Sequence, residues 1–495
     1  MTPAEAGHPG RWWALAVACL ALFVVTLDNL ILNVALPTLA RVFGTSASTT
    51  LWMVEAYSLM FAALLLTGGA LTDRLGIRAA LLWGLGLFGL ASLAGAFAPN
   101  AALLIAARAA MGVGGALIMP GTLGLIKHLF DDRERPLAIG LWGATSSVGV
   151  AAGPLLGGYL LEHASWGAIF LVNVPIVVLG LLAAPVLIPV TQARRRTPVD
   201  VVGTLLSLCG IGGVVLGIIE GPKWGWTSPA TLAVVLGGLA LLLAFVGWER
   251  RTPHPMLDLR LFTRPAFRGG SVAVAVAFIA MAGFALILTQ YFQYVLNYTP
   301  FQAGAATLPL AVTVLIASVL AGPLTTRLGT RAVVTGGLGL TALGLVLFTM
   351  LTPAVGYLPV ALVVSLVAAG IGLAYTAATA AVLSAAPAEH AGSASSVNET
   401  AVELGNVLGV AVLGSALGAG YTSALRDLPA AWRAARESFA QAQSVAATAG
   451  ADGGALLERA RSAFLTGVDV TLGIGAVLAL LGAVLAFTQL NRTAR

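Results

Sequence analysis

Residues 69–78 read GALTDRLGIR, and residues 322–331 read GPLTTRLGTR. Glycine, leucine, threonine, arginine, leucine, glycine and arginine recur in register. Each copy closes one long apolar run and opens the next, so the chain is built from two related halves. Gly69 and Gly76 bracket the first copy, and Gly76 suits the tight bend between two helices. Asp73, Arg74 and Arg78 stand where an apolar run meets water. An Asp73–Arg74 cluster bonded to neighbouring helix ends would latch one arrangement of a rocking bundle. The plainer reading is a loop that simply carries positive charge. Recurrence of the pattern at 322–331 favours the latch.

The runs on either side are long. A helix needs about 20 apolar residues to cross the hydrocarbon core. On that rule about fourteen spans begin near Trp12, Leu51, Ala79, Ala102, Leu137, Ala168, Val201, Pro229, Gly270, Gln302, Arg331, Tyr357, Ala391 and Phe464. The composition agrees: 58% of the 495 residues are hydrophobic and only 9% charged, against roughly 25% charged in soluble chains. The 59 glycines suit helices that pack closely where no hydrophobic force drives them together. Lipid offers no partner to free backbone groups, and runs this long and uniformly apolar exclude barrel strands. The first run, from Trp12 to Leu36, is too long for a signal peptide and is read as the first span. The fold class expected is therefore an all-α integral membrane protein.

The first decapeptide follows the second span and the other follows the tenth. Six spans in residues 1–193, two inserted spans in 194–260 and six more in 261–495 accommodate that spacing. Repeated halves of this kind are a common plan in secondary transporters. Lys and Arg set the expected orientation. With the N-terminus cytoplasmic, the inner segments hold most of them, among them Arg74, Arg78, Lys127, Arg194, Arg195, Arg196, Arg264 and Arg331. The short outer segments hold only Arg41 and Lys223, and the other outer cations share one long Ala-rich loop at about 421–463. Both termini are expected in the cytoplasm. Within the long loop, Ala430 to Ala446 has the pattern of a surface helix.

The net charge of +6 does not indicate nucleic-acid binding, because no basic stripe lies on a soluble domain. Cys19 and Cys209 fall inside apolar runs and have no metal-site spacing. The five histidines are scattered over loops and the tail, which argues against the metal or phosphate chemistry of a membrane-embedded transferase. No P-loop is present, so ATP is not the expected driver. No cofactor or metal is expected.

Four intramembrane constellations remain. Arg108 sits in LIAARAAMGVGG with Gly112. A charge deep in a span costs at least ~2.5–3.5 kcal/mol, so it should face the interior and meet an acid or a carbonyl; snorkelling to the interface is the alternative. Asp28, in LDNLILNVALP with Asn33 and Pro37, is either a proton carrier or the partner of Arg108. Gly149, Gly153 and Gly157 repeat every fourth residue and make one small-residue helix face, with Pro154 and Gly158 beside it. Glu399 and Glu403 project from one helix face near mid-membrane, with Asn406 close by. Two carboxylates there repel and both lose hydration, so at least one should carry a proton near neutral pH. A structural polar pair bonded to neighbouring helices is the plainer alternative. Glu55, Glu220 and Asp469 lie nearer the outer ends of their spans and read as interfacial carboxylates. Trp12, Trp13, Trp224, Trp226 and Trp248 read as interface anchors.

Taken together these motifs resemble the fourteen-helix drug:proton antiporters of the major facilitator superfamily, across almost the whole chain. Residues 69–78 look like the superfamily's cytoplasmic loop signature. Arg108 with Gly112 is similar to its fourth-helix motif, associated with proton coupling. Gly149 to Gly158 is similar to the fifth-helix motif of exporters, and Leu27 to Pro37 to the first-helix motif of this branch. The chain departs from the pattern at Ile77 in the loop, at Thr326 in the second copy and at Gly167 after the fifth span.

The resemblance implies a major-facilitator-type bundle of two six-helix halves plus two inserted helices, acting in the plasma membrane. Protons entering from outside would load Asp28, Glu399 or Glu403 while a lipophilic, cationic drug or antibiotic leaves. Asn33 and Asn406 would join those acids in contacting substrate, and Arg108 would tune them. The expected partners are small lipophilic molecules, protons and the bilayer, with the proton gradient as energy source and the chain acting as a monomer. A dedicated exporter of one natural product, lipid or metabolite is the nearest alternative. A transferase or a non-transporting scaffold is the alternative of another class.

Overall fold

The computed structural model describes residues 10–130, 134–190, 200–253, 259–351, 356–385 and 391–490. The basic linker Arg194–Arg196 and both extreme termini lie outside them. Every regular element among the described residues is helical, as a lipid environment requires. The first half holds α1 (Arg11–Phe43), α2 (Ala47–Leu75), α3 (Ile77–Ala96), α4 (Ala101–Leu129), α5 (Arg135–His163) and a sixth span broken into α6 (Ala168–Leu171) and α7 (Asn173–Leu187). The inserted pair is α8 (Val201–Trp224) and α9 (Pro229–Glu249). The second half holds α10 (Pro265–Tyr294), α11 (Pro300–Ala306) continued as α12 (Leu308–Leu328), α13 (Thr330–Thr349), α14 (Tyr357–Ala385), α15 (Ala391–Ala424) and α17 (Gly453–Gln489), with the short α16 (Phe439–Thr448) between the last two.

Among the described residues, 13 helical segments are long and apolar enough to cross a membrane. Helix α5, 29 residues long, lies along α1 as the other spans lie along their neighbours. The described helices are consistent with the fourteen expected spans. The largest difference from the expected starts is at the last span, which begins at Gly453 rather than near Phe464.

The repeat shows in the packing. Helix α4 lies between α2 and α3, and α5 lies on α1; in the second half α14 lies between α12 and α13, and α15 lies on α10. The two decapeptides form the same turn. Gly76 joins α2 to α3 at φ 82°, ψ 150°, and Gly329 joins α12 to α13 at φ 84°, ψ 150°. Each glycine N–H donates to the threonine carbonyl four residues back, Thr72 and Thr325, at 2.9 Å. The linker is therefore one residue, tighter than the two to four residues a reversal ordinarily takes, because only glycine holds that left-handed conformation without strain.

The end of the bundle that carries Gly76 and Gly329 also holds the start of α1 and the end of α17. There Arg11 pairs with Glu134 at 2.6 Å and Arg268 donates to Gln489 at 2.7 Å. The two halves close on each other at the opposite, far end. Thr289 and Gln293 of α10 donate to the carbonyls of Asn33 and Val34 at 3.1 and 3.0 Å. Gly158 of α5 lies against Pro300 and Phe301, and Gly304 of α11 against Pro154.

The loop before α17 lies across this seam. It spans residues 425–452, shorter than the expected 421–463. Its helical stretch is split in two, a 3₁₀ turn over Ala430–Arg436 and α16, because Ser438 caps a new helix by accepting from the N–H of Gln441 at 3.2 Å. The side chain of Gln441 donates to the Gly44 carbonyl at 2.6 Å, the N–H of Ala47 donates to the Glu437 carbonyl at 3.3 Å, and Phe439 stacks on Tyr294 of α10 at 4.4 Å. Helix α8 packs on both α2 and α15, which carries the inserted pair along the flank of the seam. The five tryptophans expected at the interface all keep exposed surface, from 38% for Trp12 to 65% for Trp13.

Candidate functional site

Helix α4 carries Arg108 into the first half with no exposed surface. Its Nη1 donates to the Asp28 carboxylate and its Nε to the Met53 carbonyl at 3.1 Å, so an acid and a carbonyl both meet it. Snorkelling is excluded. The other Asp28 oxygen accepts from Asn173 Nδ2 at 2.8 Å, and the same amide nitrogen reaches Ser92 Oγ at 3.1 Å. Ser92 in turn donates to the Phe170 carbonyl at 2.9 Å. Asn173 is the first residue of α7 and is fully buried. The sequence left Asp28 as either a proton carrier or the partner of Arg108; the geometry makes it the partner. Both carboxylate oxygens are taken: in this conformation Asp28 is held by Arg108 and Asn173 and has no exposed surface.

The small-residue face of α5 packs on α1. A Cβ at Gly149 would lie 2.1 Å from Thr26 Oγ1, at Gly153 3.1 Å from the Leu27 carbonyl and at Gly157 2.8 Å from Ile31 Cγ1. That contact sets the α1 segment from Thr26 to Ile31, and so holds Asp28 toward Arg108. Gly158 faces the other half, where a Cβ would lie 2.5 Å from Phe301 Cα. Pro154 and Asn33 line a small cavity of about 40 Å³ with Leu30, Met281, Leu288 and Thr289. It is apolar apart from a few hydroxyls and one amide.

Glu399 and Glu403 lie on α15 in the second half. Asn406 stands three residues beyond Glu403 on the same helix. Glu399 is half-buried, and Glu403 is 9% exposed with Oε2 unpartnered among the described residues. Four residues beyond Glu403, Val407 belongs to the apolar core of the first half, as do Val410 and Ala411. Glu403 therefore stands at the seam between the halves.

Glu55 corrects an expectation. It is not interfacial: its side chain has no exposed surface and neither oxygen has a partner among the described residues. The helix-end position was deceptive because α2 is covered at that level by α4, α8 and α15. Glu220 accepts from Trp52 Nε1 at 3.1 Å, and Asp469 is exposed. The loop residues divide. Arg74 is exposed and Arg78 half-buried, Gly69 lies 3.9 Å from Pro120 when given a Cβ, and the side chain of Asp73 lies outside the described residues. Sequence reasoning gave no role to Tyr57, Ser92 or Asn173.

The comparisons with known proteins agree on the architecture. The family profile of the Major Facilitator Superfamily matches residues 18–410 and 270–451. The chain is 38% identical over 493 residues to the multidrug efflux pump LfrA of Mycolicibacterium smegmatis, covering 97% of each. It is 37% identical to the methyl viologen resistance protein SmvA of Salmonella typhimurium, covering 96% of this chain and 97% of that one. Among solved structures, a bacterial homolog of the human lysosomal transporter Spinster, inward-facing and unoccupied, is similar at a TM-score of 0.68. It shares 18% identity over 98% of this chain and 99% of that one, a likeness of fold. With two equivalent halves, matching glycine turns and relatives above 30% identity along the full length, this chain belongs to the Major Facilitator Superfamily.

Proposed function

We propose that the protein is a proton-coupled antiporter that exports lipophilic, cationic small molecules, drugs or antibiotics among them, across the plasma membrane. The observation that supports this reading is Glu403 at the seam between the halves, unpartnered on one oxygen among the described residues, with Glu399 one turn away on the same helix. A carboxylate cannot hold a proton and pair with a cation at once, so competition for these two side chains ties one flux to the other. Two relatives of nearly equal length bear names for multidrug efflux and for resistance to methyl viologen, a flat organic dication that an acidic pair would attract.

The contacts that close the far end support a conformation that takes up substrate from the cytoplasmic side, where both termini would lie. Substrate enters from there, and Asn406 and the apolar pocket at Asn33 supply its uncharged contacts. The Asp28–Arg108 pair supports the fold of the first half and sets the field that the glutamates feel. The proton gradient supplies the energy and no cofactor takes part, with one chain as the working unit.

The test is flux in proteoliposomes under an imposed pH gradient, with methyl viologen and tetraphenylphosphonium as probes. Uphill export by the wild type, lost in Glu403→Gln, is the expected result. Export that persists with the gradient collapsed would sink the reading.

A further inference from the structure

Glu55 of α2 has no exposed surface, and neither oxygen of its carboxyl has a hydrogen-bond partner among the described residues. Buried polar groups are nearly always paired, so a carboxyl left free on both oxygens asks for a reason. The exchange of protons for substrate at Glu399 and Glu403 gives it no part. Its place among the helices does.

Contacts one turn away on either side fix that place. On α15, a Cβ at Gly418 would lie 3.4 Å from Ala47 Cβ, and one at Gly414 would lie 2.5 Å from Leu51 Cδ2. Ala47, Leu51 and Glu55 follow one another at every fourth residue and share one face of α2. The numbers run in opposite senses along the two helices, so the next step sets Glu55 beside Val410 and Ala411, both buried in the core of the first half. On α8, Glu220 accepts from Trp52 Nε1 at 3.1 Å, and a Cβ at Gly212 would lie 3.7 Å from Leu59 Cδ2. Glu55 lies three residues after Trp52 and four before Leu59, on the ridge between them. It therefore sits in the joint where α2 of the first half meets α8 of the insert and α15 of the second half.

The charges that the neighbouring helices bring are spoken for or lie at other levels. Arg108 of α4 is bound to Asp28 of α1 and to the Met53 carbonyl. Glu220 of α8 holds Trp52, with Lys223 nearer the far end. Glu403 of α15 lies two turns from Val410 toward the end that carries Gly76, and α3 has no charge after Arg78. An ionised Glu55 in this joint is a charge with neither partner nor exposed surface, an arrangement that a carboxyl escapes by taking up a proton.

We propose that Glu55 is a proton-binding site that gates the far end: the seam between α2 and α15 closes only over a protonated Glu55. Opening of the far end draws α15 away from Ala47, Leu51 and Glu55 and gives the carboxyl water on that side. The carboxylate takes its proton from there, forming one O–H bond, and closure follows. It returns the proton to the same side when the seam reopens. Binding that is stronger in one conformation shifts the population toward it, so closure is favoured in acid and lost as pH rises. The use of this gate rests on the antiport reading: each return to the cytoplasm-facing state then requires acid outside, while Glu399 and Glu403 exchange proton for cargo.

The test reads the seam directly. Val42 of α1 and Ser423 of α15 are exposed at the far end on opposite halves. Spin labels on Val42→Cys and Ser423→Cys, with Cys19→Ala and Cys209→Ala, report their separation by pulsed electron paramagnetic resonance in lipid nanodiscs. With Glu55 in place, the population at long distance should grow several-fold between about pH 5 and pH 9. Glu55→Gln cannot ionise and should hold the short distance at every pH, with its thermal midpoint kept. Glu55→Leu makes the same comparison and covers a glutamine that misfolds. Glu55→Asp should keep a pH response. A separation that ignores pH with Glu55 present, or that follows the same pH curve without it, overturns the gate and leaves antiport standing. The measurement needs no cargo, so a wild type that exports neither tetraphenylphosphonium nor methyl viologen under a pH gradient sinks antiport while the distances still decide the gate.

Discussion

Arg108 and Asp28, 80 residues apart in the chain, form an ion pair with no exposed surface on either side chain. Two charges gain from burial only if their remaining lone pairs and protons are met. Asn173 and the Met53 carbonyl meet most of them. Asp28→Asn or Arg108→Gln strands one charge among apolar neighbours and is expected to cost about 3–5 kcal/mol. Replacing both with leucine should recover a large share of that loss. Thermal unfolding of the purified protein in detergent measures both. An Asp28→Asn variant as stable as wild type would free Asp28 from its structural duty and return it to the proton carriers.

Gly76 and Gly329 give a sharper test of the repeat. Both hold a left-handed φ with extended ψ, a region that side chains reach at a cost of about 1–3 kcal/mol. Gly76→Ala and Gly329→Ala should each lower the thermal midpoint by a corresponding amount. The two losses should add, because the sites sit in different halves. Gly86 is the control: it lies in mid-helix, and a Cβ there would meet nothing within 4 Å. Gly86→Ala should leave stability unchanged or slightly raised.

Much of this was legible in the residues because lipid forces it. Long apolar runs can only be helices, and a seven-residue identity between two turns can only be a repeat. The Arg108 partners were legible for the same reason, since a buried guanidinium must find an acid or a carbonyl. Glu55 and Tyr57 were not. A residue's distance from a helix end says how deep it lies but not which neighbour covers it, and Glu55 is covered by helices from the insert and from the other half. The division of labour among the acids was hidden too. Asp28, alone in its run, and Glu403, one turn from Glu399, both read in sequence as acids inside apolar spans. Only the bonds from Arg108 and Asn173 commit one of them to structure.

The two glutamates of α15 should differ in consequence. Glu403 stands at the seam, buried and with Oε2 unpartnered among the described residues. Glu399 lies one turn nearer the motif end and is half-buried. Glu403→Gln removes a charge-assisted contact worth about 1.5–3 kcal/mol and should lower gradient-driven export about tenfold or more. Glu399→Gln should lower it less. Initial rates of tetraphenylphosphonium export at matched protein density decide the order, and equal losses in the two variants would count against a special position for Glu403.

The far-end seal makes the last prediction. Gly158 and Gly304 are glycines because backbone from the other half lies where a Cβ would be: Phe301 Cα at 2.5 Å from position 158, and the Pro154 carbonyl oxygen at 2.2 Å from position 304. Neither neighbour is the far end of a flexible side chain, so neither can step aside. Gly158→Val should therefore wedge α5 from α11 and hold the far end open, while the core of each half stays intact and the thermal midpoint changes little. A cysteine at Ala285, which lines the pocket beneath the seal, reads the wedge. In intact cells an impermeant maleimide added outside should label Ala285→Cys slowly in the wild-type background and several-fold faster with Gly158→Val, and export should fall in parallel. Unchanged labelling would mean that the contact of α5 with α11 is not what closes this side.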